Sequence, residues 1–399
     1  MTVPGTAVLS AVLMLAVWYS QTGMAMLAGL FLGMAGLARL WCRLSLAGVK
    51  AERRFACLRS FPGEPLACTV SLTNRKPLPL PWVQLEWALP PEIRPPAPEV
   101  EADSQGVRRT AALLGYRRMR WKIDLVAARR GFYPLGPLAL TSGDMFGLFT
   151  RSRREESPAA IIVYPRLYPV DIRKIPALCP MGEIQTPRRL ALDPTCPIGI
   201  RDYQTTDNLK FIHWKASARG RGLKVKLAAT TTAYQVALFL DVASFIADGV
   251  PAEEEFELGI SVAGSIAAAL AERGSPVGLY VNTRLADTGL PAEIAPGADR
   301  GRLTDVLEAL AKVTASPGSA LAGFVERQQR DLAAGTTLVF ISGRPAETLP
   351  LLLAGLSLSG FKPMLITIGQ NDEARLPDPI PRLRVRRPED LGLPAGERT

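Results

Sequence analysis

The sequence predicts a membrane helical hairpin followed by an α+β soluble part, in which a small antiparallel β-sandwich precedes a doubly wound α/β domain. Three observations carry this expectation. Residues 2–38 hold no charged side chain, residues 55–165 place apolar residues at a period of two, and beyond residue 234 strand-length apolar runs alternate with helix-length stretches. A chain of 399 residues exceeds the usual extent of one hydrophobic core, so two soluble units plus an appendage are expected.

At the N-terminus, apolar runs over 3–19 and 24–40 flank the polar break Ser20-Gln21-Thr22-Gly23. Each run is near the short limit for a helix that crosses a bilayer, and one continuous helix would reach roughly 50 Å against a hydrocarbon core of about 30 Å. Two transmembrane helices are therefore expected over 1–54, together with a basic segment. A signal peptide requires a basic n-region ahead of its apolar core, whereas the first arginine here is Arg39. Arg39, Arg43, Lys50, Arg53 and Arg54 stand against Glu52 alone. That bias places the soluble domains in the cytoplasm, at a bacterial inner membrane, with membrane lipid as a partner. Trp18, Tyr19 and Trp41 fall where interfacial anchors belong.

Residues 55–165 read as the β-sandwich. In 66–72 the large residues Leu66, Cys68, Val70 and Leu72 alternate with small or polar ones; Val83, Leu85 and Trp87 repeat the pattern, as do Trp121, Ile123 and Leu125. One buried face of a strand demands this alternation. Breakers separate the runs, including Asn74-Arg75-Lys76-Pro77, the proline-rich 90–98, Gly131, Gly136 and Gly143. Arg108, Arg109, Arg117, Arg118, Arg120 and Lys122 read as outward strand positions near an anionic surface rather than a nucleic-acid site, because alternation accounts for their spacing.

Residues 166–233 read as linker followed by a dense central segment, Ile200 to Lys226. It holds the single histidine, His213, between Ile212 and Trp214, and from Asn208 to Leu240 it contains no acid. Ile212 and Trp214 are expected on the core, with Lys215 and Arg219 paired to Asp202 and Asp207. The last part, 234–399, opens on an apolar run over 234–240 that ends at Asp241. A helix over 253–273 with Gly274 as its stop comes next, then a strand over 277–281, helices over 302–313 and 321–332, a strand over 337–341, a helix over 347–358, and strands over 363–368 and 383–386. In such sheets ligands bind at the carboxyl ends of the strands, which directs attention to Asp241 and Ser342.

The five cysteines, Cys42, Cys57, Cys68, Cys179 and Cys196, are scattered without a C-x-x-C pair or a neighbouring histidine. This excludes a zinc site and fits reduced thiols in cytosol. A formal charge of +10 favours anionic lipid, nucleic acid or an acidic protein surface as neighbour. No P-loop and no G-x-S-x-G occur, so neither ATP hydrolysis nor a serine-nucleophile reaction is indicated.

Arg201, Tyr203, Asp207, Ile212, His213, Trp214, Lys215, Ser217, Ala218 and Arg219 match the signature R-x-Y-x-x-G-D-x-x-R-x-I-H-W-K-x-S-A-R, with Thr206 and Lys210 departing from it. Upstream, 130–137 (RGFYPLGP) and 143–149 (GDMFGLF) are also motif-like. On these residues the chain resembles the family called domain of unknown function 58. That resemblance implies a von Willebrand factor A-like domain over 234–399 and a protein partner, a MoxR-type AAA+ ATPase, in the assembly or activation of other complexes. A-type domains that bind Mg²⁺ present D-x-S-x-S; here Asp241-Val242-Ala243-Ser244-Phe245 keeps the carboxylate and only a displaced serine, a degenerate site from which no metal or other cofactor is expected.

Three functions compete. The first is a membrane-anchored interaction or scaffold protein without catalysis, using Arg201, Tyr203, Asp207, His213, Trp214, Lys215, Ser217 and Arg219 as its contact surface. The second is a hydrolase or transferase in which His213 acts as general base, oriented by Asp207 or Asp202. The third is a basic nucleic-acid-binding module, which lacks interleaved aromatics for base stacking.

Overall fold

A computed structural model describes residues 3–95, 102–103, 106–172, 197–204, 212–219, 222–228, 235–247, 249–316, 318–369 and 380–392. Expectations for Asp207, Cys179 and Cys196 lie outside them. The chain divides into two compact units: Met1–Arg166 with Leu285–Gly289 and Leu307–Thr314, and Leu167–Arg284 with Leu290–Val306 and Ala315–Thr399.

The first unit opens with the helices Val3–Trp18 and Thr22–Ser45, separated where Ser20 takes a positive φ of 52°. The second helix buries a stripe of small residues, Ala28, Ala35, Ala38, Cys42 and Ser45. It turns large apolar side chains outward, among them Met26, Leu27, Leu30 and Leu37. Soluble helices arrange these residues the other way round, and small residues inward with large apolar ones outward is the pattern of helix packing in lipid.

Beyond the helices the unit is built from three sheets. One runs Val49–Phe55, Pro65–Asn74, Arg118–Ala127, Ile93–Arg94; a second runs Thr150–Glu155, Leu138–Gly143, Leu80–Ala88, Gly106–Leu113, Ala102–Asp103; a third joins Arg59–Ser60, Ala159–Val163 and Gly131–Leu135. Register pairs Cys68 with Ile123 and Leu66 with Leu125, and all four are buried in one core with Val70, Leu72, Leu85 and Trp87. The period of two therefore carries directly into burial. Burial pushes the Cys68 thiol up to about 11, so it is an inert apolar side chain at neutral pH.

The second unit contains a two-stranded ribbon, Pro197–Asp202 with Lys224–Ala228, and a six-stranded sheet. The six strands run in the order Pro291–Gly297, Val277–Arg284, Val236–Asp241, Thr337–Ser342, Lys362–Ile368, Arg382–Val385. The last five are parallel to one another and the first is antiparallel to its neighbour. The helix Glu253–Glu272 lies against the four strands from Val277–Arg284 to Lys362–Ile368, while Phe239 stacks between Tyr280 at 4.9 Å and Phe340 at 5.1 Å. Phe324, Val325, Leu349 and Leu353 share that aromatic core.

The structure corrects the expected fold class. Instead of a membrane hairpin, one sandwich and a doubly wound α/β domain, the described residues form a β-rich chain of several sheets with seven α-helices, of which one is long and apolar enough to cross a membrane. Thr22–Ser45 has 24 residues; Val3–Trp18 has 16, about 24 Å at 1.5 Å per residue, short of a hydrocarbon core, so the two-span count is not carried. The alternation of strand and helix also fails after Arg284. There the chain reverses through Asp287-Thr288-Gly289, with Gly289 at φ +67°, and lays Pro291–Gly297 antiparallel at the sheet edge. The signature segment carries the ribbon. Its strands, of six and five residues, are too short to show a period.

Asn74, 1 % exposed, donates through Nδ2 to the carbonyls of Leu78 (2.9 Å) and Leu114 (3.2 Å). Replacing it with Ala leaves both acceptors without that donor and lowers stability by about 1–3 kcal/mol, while Arg54→Ala, which loses an exposed 3.3 Å surface pair with Glu52, changes it by no more than about 0.5 kcal/mol. Denaturant unfolding of the two variants checks the contrast.

Candidate functional site

Two constellations in the second unit contain the described residues that the sequence singles out as sites. The first lies at the carboxyl ends of the parallel strands. Asp241, last residue of its strand and 6 % exposed, accepts from Asn282 Nδ2 at 2.7 Å; Asn282 Oδ1 accepts from the Val242 amide at 2.9 Å. Asn282 also donates to the Ser319 carbonyl at 3.1 Å. The chain at Gly318 passes so close that a Cβ there would sit 2.3 Å from the Asn282 carbonyl oxygen, which explains glycine at that position.

Ser244 closes the same loop. Its hydroxyl donates to the Asp241 carbonyl at 2.6 Å and accepts from the Gly343 amide at 2.9 Å. The hydroxyl is thus engaged within the fold, and the residue staples the loop instead of offering an oxygen outward. In register beside Asp241 stand Ser342 and then Thr367, both wholly buried, whose hydroxyls have no hydrogen-bond partner among the described residues. No group of three His, Cys, Asp or Glu side chains suited to a metal ion occurs among the described residues. Sequence reasoning missed Asn282. Its signal was a polar pair, Asn282-Thr283, ending an otherwise apolar strand.

Burial pushes the Asp241 carboxyl up to about 6, against the opposing pull of Asn282 and the Ser244 amide.

The second constellation is the signature segment. Arg201 lies on the ribbon opposite Val225, and Asp202 lies opposite Lys224, whose Nζ meets its carboxylate at 2.6 Å. The Tyr203 amide donates to the Leu223 carbonyl at 2.9 Å. Ile212 bridges to Val225, and these two are buried. The His213 amide then donates to the Lys224 carbonyl at 2.8 Å, and the chain turns into the short helix Trp214–Ser217. His213 caps that helix: Nδ1 accepts from the Ala216 amide at 3.0 Å. Ser217 Oγ accepts from the Lys224 amide at 2.8 Å and donates to the His213 carbonyl at 3.1 Å. The hydroxyl therefore addresses the histidine backbone and not its ring.

Two expectations are corrected here. Trp214 does not join the core with Ile212; it is 68 % exposed, because the helical turn after His213 rotates it to the opposite side. Asp202 pairs with Lys224 rather than with Lys215 or Arg219, since the ribbon register sets Lys224 directly across from it. Lys215 and Arg219 follow Trp214 in the same segment, and both are exposed.

Two predictions test these sites. Because the folded carboxyl of Asp241 titrates near 6 and an ordinary one near 3.8, the folded chain holds a proton between those values that the unfolded chain has released. Stability consequently falls as pH rises through that window. Asp241→Asn keeps the acceptor oxygen and removes the buried charge, so the variant is more stable than wild type at pH 8 by up to about 3 kcal/mol, the gap closing by pH 4; chemical denaturation at the two pH values measures it. Second, His213→Ala removes a cap of about 1 kcal/mol and speeds hydrogen exchange of the Ala216 amide roughly fivefold, whereas His213→Asn, itself a capping residue, leaves it near wild type.

Known proteins share parts of this chain. "Uncharacterized protein YeaD" from Bacillus subtilis (strain 168) is 24% identical over 253 residues, 61% of this chain and 58% of that protein, so the match spans little more than half of the relative's length. Among solved structures, native alpha-2-macroglobulin from Escherichia coli (13% identity, 30% of this chain, 24% of that chain) has a TM-score of 0.23. A cohesin module from a Clostridium perfringens family 33 glycoside hydrolase (12% identity, 29% of this chain, 96% of that chain) has one of 0.21. Residues 199–379, which contain both constellations, match the family model described as "Protein of unknown function DUF58".

Proposed function

We propose that this chain is a membrane-anchored interaction protein whose soluble part faces the cytoplasm and offers the signature segment to a protein partner, with no bond-making step of its own. Trp214 carries the reading. A tryptophan left 68 % exposed on a short turn that is fastened by His213, Ser217 and Lys224 is unfavourable in water and well suited to an interface, where large rigid aromatics and arginine dominate binding energy. Lys215 and Arg219 add a positive rim around it, which fits an acidic partner surface. The family resemblance points to a MoxR-type AAA+ ATPase as that partner. The helix Thr22–Ser45 supplies the anchor, and the basic residues at and after its end favour the cytoplasmic side for the soluble part. Catalysis by His213 finds less support, because its Nδ1 is occupied by the Ala216 amide and the neighbouring hydroxyl of Ser217 is aligned with backbone groups.

The test uses the full chain in detergent and a purified MoxR-type ATPase from the same organism. Trp214→Ala and Arg219→Glu each weaken capture at least tenfold with unchanged circular dichroism, while Lys122→Gln, remote in sequence and on a strand of the first unit, does not. Equal capture by all forms removes the reading. Wild type also stays in the membrane pellet after a carbonate wash, and Leu30→Asp with Phe31→Asp releases it.

A further inference from the structure

The end of the helix Thr22–Ser45 and one hairpin of the first unit form a cleft that belongs to neither constellation. Arg151 Nη1 donates to the Arg43 carbonyl at 2.7 Å, and two residues along the same strand Arg153 donates to the Leu46 carbonyl at 3.1 Å and to that of Val49. The strand therefore runs beside the helix in a known sense: from Arg153 to Arg151 and on to the hairpin turn 144–149 is the direction from the helix end toward its apolar middle. The turn consequently stands level with Arg43 and Arg39.

That turn is built to expose apolar side chains. The Asp144 carboxylate accepts from the amides of Phe146 (2.9 Å), Leu148 (3.3 Å) and Phe149 (2.7 Å), and Gly147 supplies the left-handed residue at φ +69°. Trp82 Nε1 donates to the Asp144 carbonyl at 3.3 Å. With these backbone groups satisfied internally, Met145 and Phe146 project at 71 % and 62 % exposure. Between turn and helix lies a cleft of about 480 Å³ lined by Arg39, Cys42, Arg43, Phe149, Thr150 and Arg151. Its lining holds three guanidinium groups and no carboxylate, and the nearby Asp144 carboxylate is committed to the turn amides. Arg39 lies about 26 Å along the axis from Thr22 at 1.5 Å per residue, roughly one hydrocarbon thickness, so the cleft falls at headgroup depth.

We propose that this cleft binds the headgroup phosphate of one anionic phospholipid through Arg39, Arg43 and Arg151, while Met145 and Phe146 dip into the acyl boundary beside it. Arginine suits phosphate because its planar fork donates two parallel hydrogen bonds. The apolar wall of Cys42 and Phe149 suits the glycerol and first methylenes. The inference rests on the reading of the chain as membrane-anchored.

The full chain is reconstituted in nanodiscs of phosphatidylcholine with a tenth phosphatidylglycerol and released for native mass spectrometry. Wild type retains one phosphatidylglycerol per chain. Arg39→Gln with Arg43→Gln lowers that occupancy at least tenfold, Met145→Asp with Phe146→Asp lowers it severalfold, and Lys50→Gln with Arg54→Gln, the same charge removed outside the cleft, leaves it unchanged. Occupancy lost equally in both cationic pairs, or in neither, overturns the proposal; so does displacement of the lipid by millimolar inorganic phosphate, which marks a site for the free anion. A carbonate wash separates the two failures: release of wild type removes the membrane reading itself, whereas retention with unaltered lipid occupancy removes only the cleft.

Discussion

The last turn of a helix has carbonyls that no helical amide can reach, and in Thr22–Ser45 the β-rich unit supplies nearly all of the missing donors. Ser45 Oγ serves the Cys42 carbonyl, Arg151 that of Arg43, Lys76 Nζ those of Leu44 and Ser45, and Arg153 that of Leu46. Cations at a helix C-terminus are favoured by the aligned peptide dipoles as well as by the hydrogen bonds. Three of them from three positions on the β-rich unit leave the helix one direction in which to leave it. The exposed apolar face, the cleft and the projecting turn 144–149 all take their places from that fixed exit.

The second unit is governed by a different constraint, a carboxylate placed where water does not reach. Asp241 ends a strand whose six residues are all buried, and its charge is opposed by that burial. Asn282, itself 2 % exposed, holds the carboxylate with one atom and the Val242 amide with another, so one side chain ties two neighbouring strands at their carboxyl ends. Ser244 then links the loop after Asp241 to the loop after Ser342. Ser244 Oγ is thereby held between two backbone groups, one on each loop. Around Asp241 the arrangement is tightly satisfied, whereas the Ser342 and Thr367 hydroxyls next door have no hydrogen-bond partner among the described residues.

How much of this was legible depends on the range of each interaction. Alternation in 66–72, around Val83 and around Trp121 is local, and it translated directly into buried and exposed faces. The helix at Glu253–Glu272 was legible for the same reason, with Gly274 at φ +68° just beyond its end. The fold class was not legible, because an apolar strand reads alike whether its neighbour is parallel or antiparallel; only the turn Asp287-Thr288-Gly289 marked the reversal that makes the last sheet mixed. Trp214 was misplaced because indole size suggests a core residue, and the fact that His213 ends the ribbon and caps a helical turn depends on contacts with Ala216 and Lys224 rather than on spacing. Asn282 escaped because its partner Asp241 is 41 positions away.

The two exposed aromatic features differ in what can cover them. Phe146 and Met145 stand on a turn whose neighbours are Arg39, Arg43 and Arg151, at the end of a helix that is apolar outward; a fluid apolar phase with an anionic surface meets every one of those demands at once. Trp214 stands on a turn tied to the ribbon through Lys224, with Lys215 and Arg219 following it in sequence. A bilayer would gain one indole there, whereas a shaped acidic surface can enclose the ring and engage both cations. Because the turn is already fastened in the free chain, little further ordering has to be met on binding, and on the proposed reading the anchor would confine the encounter to a thin layer at the membrane and raise the effective concentration of a partner held there too. On the proposed reading, tethering and a rigid aromatic contact favour the same outcome, a modest interface that binds only where both proteins share a surface.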